Sequence, residues 1–139
     1  MPDGCKLNKT DPRIVTDADE FAACCAHLSE VERFAFDAEF VSEDGYRAEL
    51  CLIQVATVED VWLIDPLSGF DTSPFWSLVN DEHIETVVHA GMEDLAFSYH
   101  ETGHSARNVF DIQIAAGLVG ADYPMSLQRL ARSMLGALT

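Results

Sequence analysis

Basic residues are what this chain most lacks. Its 139 residues hold eight Lys and Arg against 24 Asp and Glu, for a net charge of -16. Between Ala48 and Ala106 there is no Lys or Arg at all. Such a chain offers no broad electrostatic footprint to a polyanion, so any phosphate it binds must be met by metal ions or a few local groups. The acidity itself reads as a solubility-driven surface. Also missing is any apolar run near the roughly 18 residues of a membrane span, so no membrane partner is expected. Met1 to Thr10 has no apolar segment of the kind a secretory signal needs. The four cysteines, Cys5, Cys24, Cys25 and Cys51, show no Cys-x-x-Cys spacing. A reduced, cytoplasmic protein with free thiols and no disulfide partner is the expectation.

What is present is enough for one domain with its own core. Hydrophobic residues make up 48% of the chain and charged residues 23%, the balance of a soluble globular fold. Residues 1–13 are polar, carry Pro2, Gly4 and Pro12, and read as a flexible leader; residues 14–139 read as the domain. Thr16 is expected to cap a first helix, with Asp19 three residues on and an apolar face of Phe21, Cys24, Cys25 and Leu28. Strand patterns follow at 33–41, 48–56 and 60–65, joined by short turns at 42–45 and 57–59, which predicts an antiparallel meander. A short helix over 73–80 with Pro74 near its start, a strand over 84–89, and a helix over 91–101 ended near Gly103 come next. A short strand over 107–110 and helices over 111–119 and 126–135 complete the order. An antiparallel meander followed by β-α-β units implies an α/β fold with a mixed five-stranded sheet and helices packed on it. Trp62, Phe75, Trp76 and Phe97 fall at packing positions. Gln54, inside an apolar strand, should find hydrogen-bond partners.

The chemistry is concentrated in Phe36-Asp37-Ala38-Glu39-Phe40. On a strand, Asp37 and Glu39 point to one side. Two like charges in a buried strand are costly unless something compensates them, and a divalent cation would do so. The second segment is Val87-Val-His89-Ala-Gly-Met-Glu-Asp94, where a strand runs through Ala-Gly into a helix. Asp94 lies in the first turn of that helix, where the macrodipole favours a carboxylate, so a helix-start acid is the alternative to a ligand. His89 closes the strand, and Glu93 points elsewhere and should be solvated. His100-Glu-Thr-Gly-His104 matches the H-E-x-x-H zinc signature, but Gly103 falls where a continuous helix is required.

Taken together, Phe36-Asp-Ala-Glu-Phe-Val41, Leu52-Ile-Gln-Val55, Leu63-Ile-Asp-Pro66, His89-Ala-Gly-Met-Glu-Asp94-Leu95 and Val109-Phe-Asp-Ile-Gln-Ile-Ala115 resemble the ribonuclease D group of DEDD 3′-5′ exonucleases. The resemblance covers roughly residues 15–138 in five separate motifs. It implies an RNase H-like fold and hydrolysis of phosphodiester bonds at the 3′ end of a nucleic acid, RNA ahead of DNA, with two divalent cations, Mg²⁺ or Mn²⁺. It implies metal binding by Asp37, Glu39 and Asp94, with Asp37 bridging both ions, Glu39 on the nucleophile side and Asp94 on the leaving-group side. It places Phe40 and His89 beside the terminal nucleotide, and gives Asp111 a structural place at a helix start.

The family's third motif, Tyr-x-x-x-Asp or His-x-x-x-x-Asp, has no match in the expected place. Four residues after Tyr46, Tyr99 and Tyr123 stand Leu50, Gly103 and Leu127, and the His89 to Asp94 pair is the second motif itself. A partial exonuclease domain is the expectation, a fragment of a longer enzyme in preference to a short protein that has lost turnover. Its missing C-terminal helices would leave apolar sheet surface uncovered. The alternative is a non-catalytic, exonuclease-like module that holds nucleic acid or a protein.

Overall fold

The computed structural model describes residues 10–43 and 47–136. In order come β1 (Arg13–Val15), α1 (Ala18–Leu28), β2 (Arg33–Glu43), β3 (Arg47–Ala56), β4 (Val61–Ile64), a 3-10 turn at Pro66–Ser68, α2 (Ser73–Val79), β5 (Glu85–Val88), α3 (Met92–Thr102), β6 (Val109–Asp111), α4 (Ile112–Leu118) and α5 (Leu127–Leu135). One sheet runs β1-β4-β3-β2-β5-β6. β2, β3 and β4 form the expected antiparallel meander, and β5 and β6 add parallel strands on the β2 side.

The sheet has six strands where five are predicted. The extra one, β1, pairs in parallel with β4, Ile14 opposite Leu63. Three residues carry no readable period, so this strand is specified by tertiary contacts. The Arg13 guanidinium meets Asp60 at 3.1 Å and lies over the Trp62 ring at 6.0 Å. The predicted leader therefore ends one residue early, since Arg13 already belongs to the sheet; residues 1–9 of that leader, with Cys5, lie outside the described residues. So do residues 44 and 45 of the predicted turn at 42–45.

The cap of α1 also shifts by one residue. Asp17, not Thr16, is the N-cap: its carboxylate accepts from the Glu20 N–H at 2.8 Å. Glu20 returns the favour by accepting from the Thr16 N–H at 3.1 Å. Asp17 has the extended backbone of a cap, φ -134° and ψ 164°, and the helix that follows buries Phe21, Cys24, Cys25 and Leu28.

β2 decides how the layers are arranged. Phe34, Phe36 and Ala38 are buried on one face, while Asp37 and Glu39 are exposed on the other. The helical side holds the core. Phe34 and Phe36 pack on Phe75, and Phe36, Phe75 and Phe97 surround Trp76 at centroid separations of 5.0 to 5.9 Å. In β3 the buried positions are Leu50, Ile53 and Val55, which breaks strict alternation. The cause is a register shift: Glu39 pairs with Leu52 but Phe40 with Leu50, leaving Cys51 as the bulged residue. A smaller cluster of Ala116, Met125 and Leu130 ties α4 to α5. Among the described residues no helix is long and apolar enough to cross a membrane.

Trp76 has no exposed surface and touches rings from β2, α2 and α3. Trp76→Ala is expected to lower unfolding free energy by about 3–5 kcal/mol, read from urea midpoints at constant m-value.

Candidate active site

The site arises where the sheet opens. β2 and β5 run in parallel register from Arg33 opposite Glu85 to Ala35 opposite Val87. β5 then ends at Val88, and the chain turns through His89, Ala90 and Gly91 into α3. β2 continues alone on that side through Asp37, Ala38 and Glu39. Its exposed backbone is met by α3: the buried Asp94 carboxylate comes near enough to the Ala38 N–H for that group to lower its pKa. The Asp37 and Glu39 charges, one residue to each side of Ala38, act on the same carboxylate.

The electrostatics follow from this placement. Burial raises the Asp94 pKa most, and the Asp37 charge adds to it. The Ala38 N–H opposes the rise, Glu93 and Glu39 add smaller pushes, and the result is a value of about 6. The expectation of a buried strand carrying Asp37 and Glu39 needs correction. Both acids lie on the open face, and Asp94 is the carboxylate that burial penalises. All three donors are hard oxygens suited to Mg²⁺ or Mn²⁺, and the repulsion felt by Asp94 is a conflict that a cation would remove. The fit is one of chemistry and charge: among the described residues no three His, Cys, Asp or Glu side chains stand close enough together to enclose an ion as they are.

His89 and Phe40 lie on different sides of this group. The open face carries a cleft of about 360 Å³ lined by Ala35, Asp37, Gln54, Val87, His89 and Leu127 among others. His89 is anchored there, its Nε2 donating to the Met125 carbonyl at 2.8 Å, where the Gln113 amide also donates at 3.1 Å. Phe40 faces the helices, its ring 5.1 Å from that of Phe97. Gln54, which sequence alone could not assign, stands directly across the ladder from Asp37 and lines the same cleft.

Asp111 caps α4 by accepting from the Gln113 N–H at 3.0 Å. It also accepts from the Ala90 and Gly91 N–H groups, both at 3.1 Å. Burial acts to raise its pKa, but backbone donors from Ala90, Gly91, Gln113 and Ile114 prevail and hold it below the usual carboxylate range. No sequence signal marks this second use. The H-E-x-x-H match dissolves: α3 ends at Thr102, Gly103 takes the left-handed φ of 72°, and His104 lies beyond the helix. Cys24, Cys25 and Cys51 are free thiols, and burial pushes Cys24 up to about 12 and Cys25 to about 11.

The chain matches, over residues 12–139, a family described as 3′-5′ exonuclease. It is 40% identical over 124 residues to ribonuclease D of Zymomonas mobilis, covering 88% of this chain and 32% of that protein. Against ribonuclease D of Sphingobium indicum it is 37% identical over 125 residues, 88% of this chain and 32% of the relative. The fold superposes on Escherichia coli RNase D, described as an exoribonuclease involved in structured RNA processing, with a TM-score of 0.82 and 30% identity. That match covers 92% of this chain and 34% of the other. The catalytic core of RRP6 from Trypanosoma brucei shares the fold, with a TM-score of 0.80 at 22% identity over 94% of this chain and 36% of that one. The chain thus spans about a third of the length of the curated relatives it matches.

The raised Asp94 pKa has a consequence for metal-free stability. The folded state holds the Asp94 proton more tightly than the unfolded chain, so stability falls as pH rises from about 4 to about 6 and the penalty persists above that. Asp94→Asn removes the charge while keeping an acceptor for Ala38. In EDTA it should match the parent near pH 4 and exceed it by about 1–2 kcal/mol at pH 7, measured by urea unfolding.

Proposed function

Because this chain belongs to the 3′-5′ exonuclease family, we propose that it carries the metal-binding core of a ribonuclease D-type enzyme that hydrolyses phosphodiester bonds at the 3′ end of RNA. The observation that carries the reading is the buried Asp94 carboxylate at the opening of the sheet, its pKa raised first by burial and then by the charge of Asp37, with Glu39 adding a smaller push. Asp37 and Glu39 project from the exposed face and would present their oxygens to two divalent cations, Mg²⁺ or Mn²⁺; Asp94 would complete the set from α3. Held there, such a pair would supply activation of an attacking water, stabilisation of the leaving 3′ oxygen and an offset to the acidic charge that would repel a phosphate. Asp94 is ionised above pH 6 and so is available to a cation at neutral pH.

Substrate contact is assigned to Phe40 and His89. The His89 ring is held in place by Met125 and forms part of the cleft wall beside Asp37. Phe40 is half-buried at the end of β2 and backed by Phe97. The preference for RNA is supported by the ribonuclease D relatives. A cytoplasmic setting is supported by the free thiols.

Within these 139 residues no Tyr-x-x-x-Asp stands, so the carboxylates they would offer to the two cations are Asp37, Glu39 and Asp94. The purified chain is expected to bind Mn²⁺ weakly and to release mononucleotides from 5′-labelled RNA at a rate barely above background. Rapid Mg²⁺- or Mn²⁺-dependent trimming would contradict this. Asp37→Asn should weaken Mn²⁺ binding in calorimetry by more than about tenfold. The competing reading, a non-catalytic module, is favoured by the scarcity of basic residues. It predicts RNA affinity that is the same with and without divalent metal and indifferent to Asp37→Asn.

A further inference from the structure

The turn that launches α3 is under strain, and the structure shows what holds it. Ala90 has a φ of 52°, in the left-handed region that residues with a Cβ rarely enter. Gly91 follows with no room for a side chain, since a Cβ there would lie 2.6 Å from a Val88 methyl. Gly91 is also the N-cap of α3 and provides no side-chain cap. The first turn of α3 therefore lacks the usual local clamp.

The clamp comes from another element. β5 and β6 remain in parallel register up to Val88 opposite Asp111. From there the Asp111 carboxylate reaches across to the two residues that leave β5, one oxygen accepting Ala90 N–H and the other Gly91 N–H. The first of these oxygens also caps α4 through Gln113. Gly91 and Asp94 lie within a single helical turn, so whatever fixes Gly91 fixes the direction in which Asp94 leaves the helix. Asp94 itself is buried in the first turn of α3, where the Ala38 N–H of β2 acts on its carboxylate.

We propose that Asp111 is a positioning residue for Asp94: by clamping the strained Ala90-Gly91 turn it sets the head of α3 so that the Asp94 carboxylate stands on β2 between Asp37 and Glu39. The catalytic meaning of this rests on the exonuclease reading above, but the mechanical link does not. Asp111 touches neither substrate nor metal in this scheme and acts only through Asp94.

The test is amide hydrogen exchange on the full chain without metal, because Ala38 is the backbone N–H that acts on the Asp94 carboxylate. Asp111→Ala removes all the acceptors. Asp111→Asn is the milder variant: it retains an oxygen for Gln113 and Ala90 but turns an NH₂ toward Gly91. In each, Ala38 exchange should rise by about tenfold relative to the core amide of Ile64, the loss of roughly one hydrogen bond's protection. Adding Ala90→Gly to Asp111→Ala should restore part of the Ala38 protection, since glycine adopts the left-handed turn without a clamp. Mn²⁺ affinity, by calorimetry, should fall with Ala38 protection and recover with it. Ala38 protection that is unchanged, or that falls by the same factor as Ile64 in both variants, would overturn the proposal. Failure of the parent chain to bind Mn²⁺ would instead overturn the metal reading and leave the exchange result to be judged on its own.

Discussion

The approach of the buried Asp94 carboxylate to the Ala38 N–H is the constraint on which the site depends. It exists because β2 is longer than its parallel partner. β5 stops at Val88 while β2 runs on to Glu43, leaving strand backbone with no neighbour on that side. Unpaired backbone donors at a buried seam need an acceptor. Here a side chain from the following helix provides one, and it is charged. Closing the gap in the sheet and bringing a third acid beside Asp37 and Glu39 are therefore one event.

The same arrangement sets folding against function. A carboxylate raised to a pKa of about 6 by burial and by its neighbours is a poor choice for stability alone. The rest of the fold offsets it. The aromatic core from Phe34 to Phe97 is tightly packed, with Trp76, Phe34 and Phe75 almost wholly buried. The strained Ala90-Gly91 turn is held by Asp111 instead of being relaxed by a second glycine. Strain and unfavourable charge thus cluster within a few residues at the head of α3, where a functional site would concentrate them.

Much of this was legible in the residues. The meander, the two later parallel strands and the helix faces follow from periodicity and turn chemistry, because each is encoded within about ten residues. The resemblance of their motifs to the ribonuclease D group is what suggests grouping Asp37, Glu39 and Asp94. What could not be read depends on distant partners. β1 is three residues long and is held by Trp62 and Asp60. The choice of Asp17 over Thr16 as cap turns on one residue of helix phase. The open-face position of Asp37 and Glu39 was misread as burial because the flanking Phe36, Ala38 and Phe40 make the strand look apolar throughout. The clamp by Asp111 joins residues 20 positions apart and leaves no trace in local pattern.

The net charge of -16 bears on how a phosphate chain could approach such a surface. Of the arginines, Arg13, Arg33, Arg107 and Arg129 each already face a carboxylate: Asp60, Glu85, Glu82 and Asp122. These are exposed pairs of little energetic weight, yet they reduce the positive field available to an incoming strand. The open cleft beside Asp37 has apolar walls of Ala35, Val61 and Val87, with Gln54 and His89 as its polar groups. Long-range attraction is therefore a weak route to binding for this domain. Under the exonuclease reading proposed above, short-range contact at the acid cluster would be the stronger one, and it would require that the charge there be reversed in sign before a phosphate arrives. Nucleic-acid affinity would then be a property of the metal site and not of the surface around it, so that occupancy of Asp37, Glu39 and Asp94 would control attachment as well as chemistry.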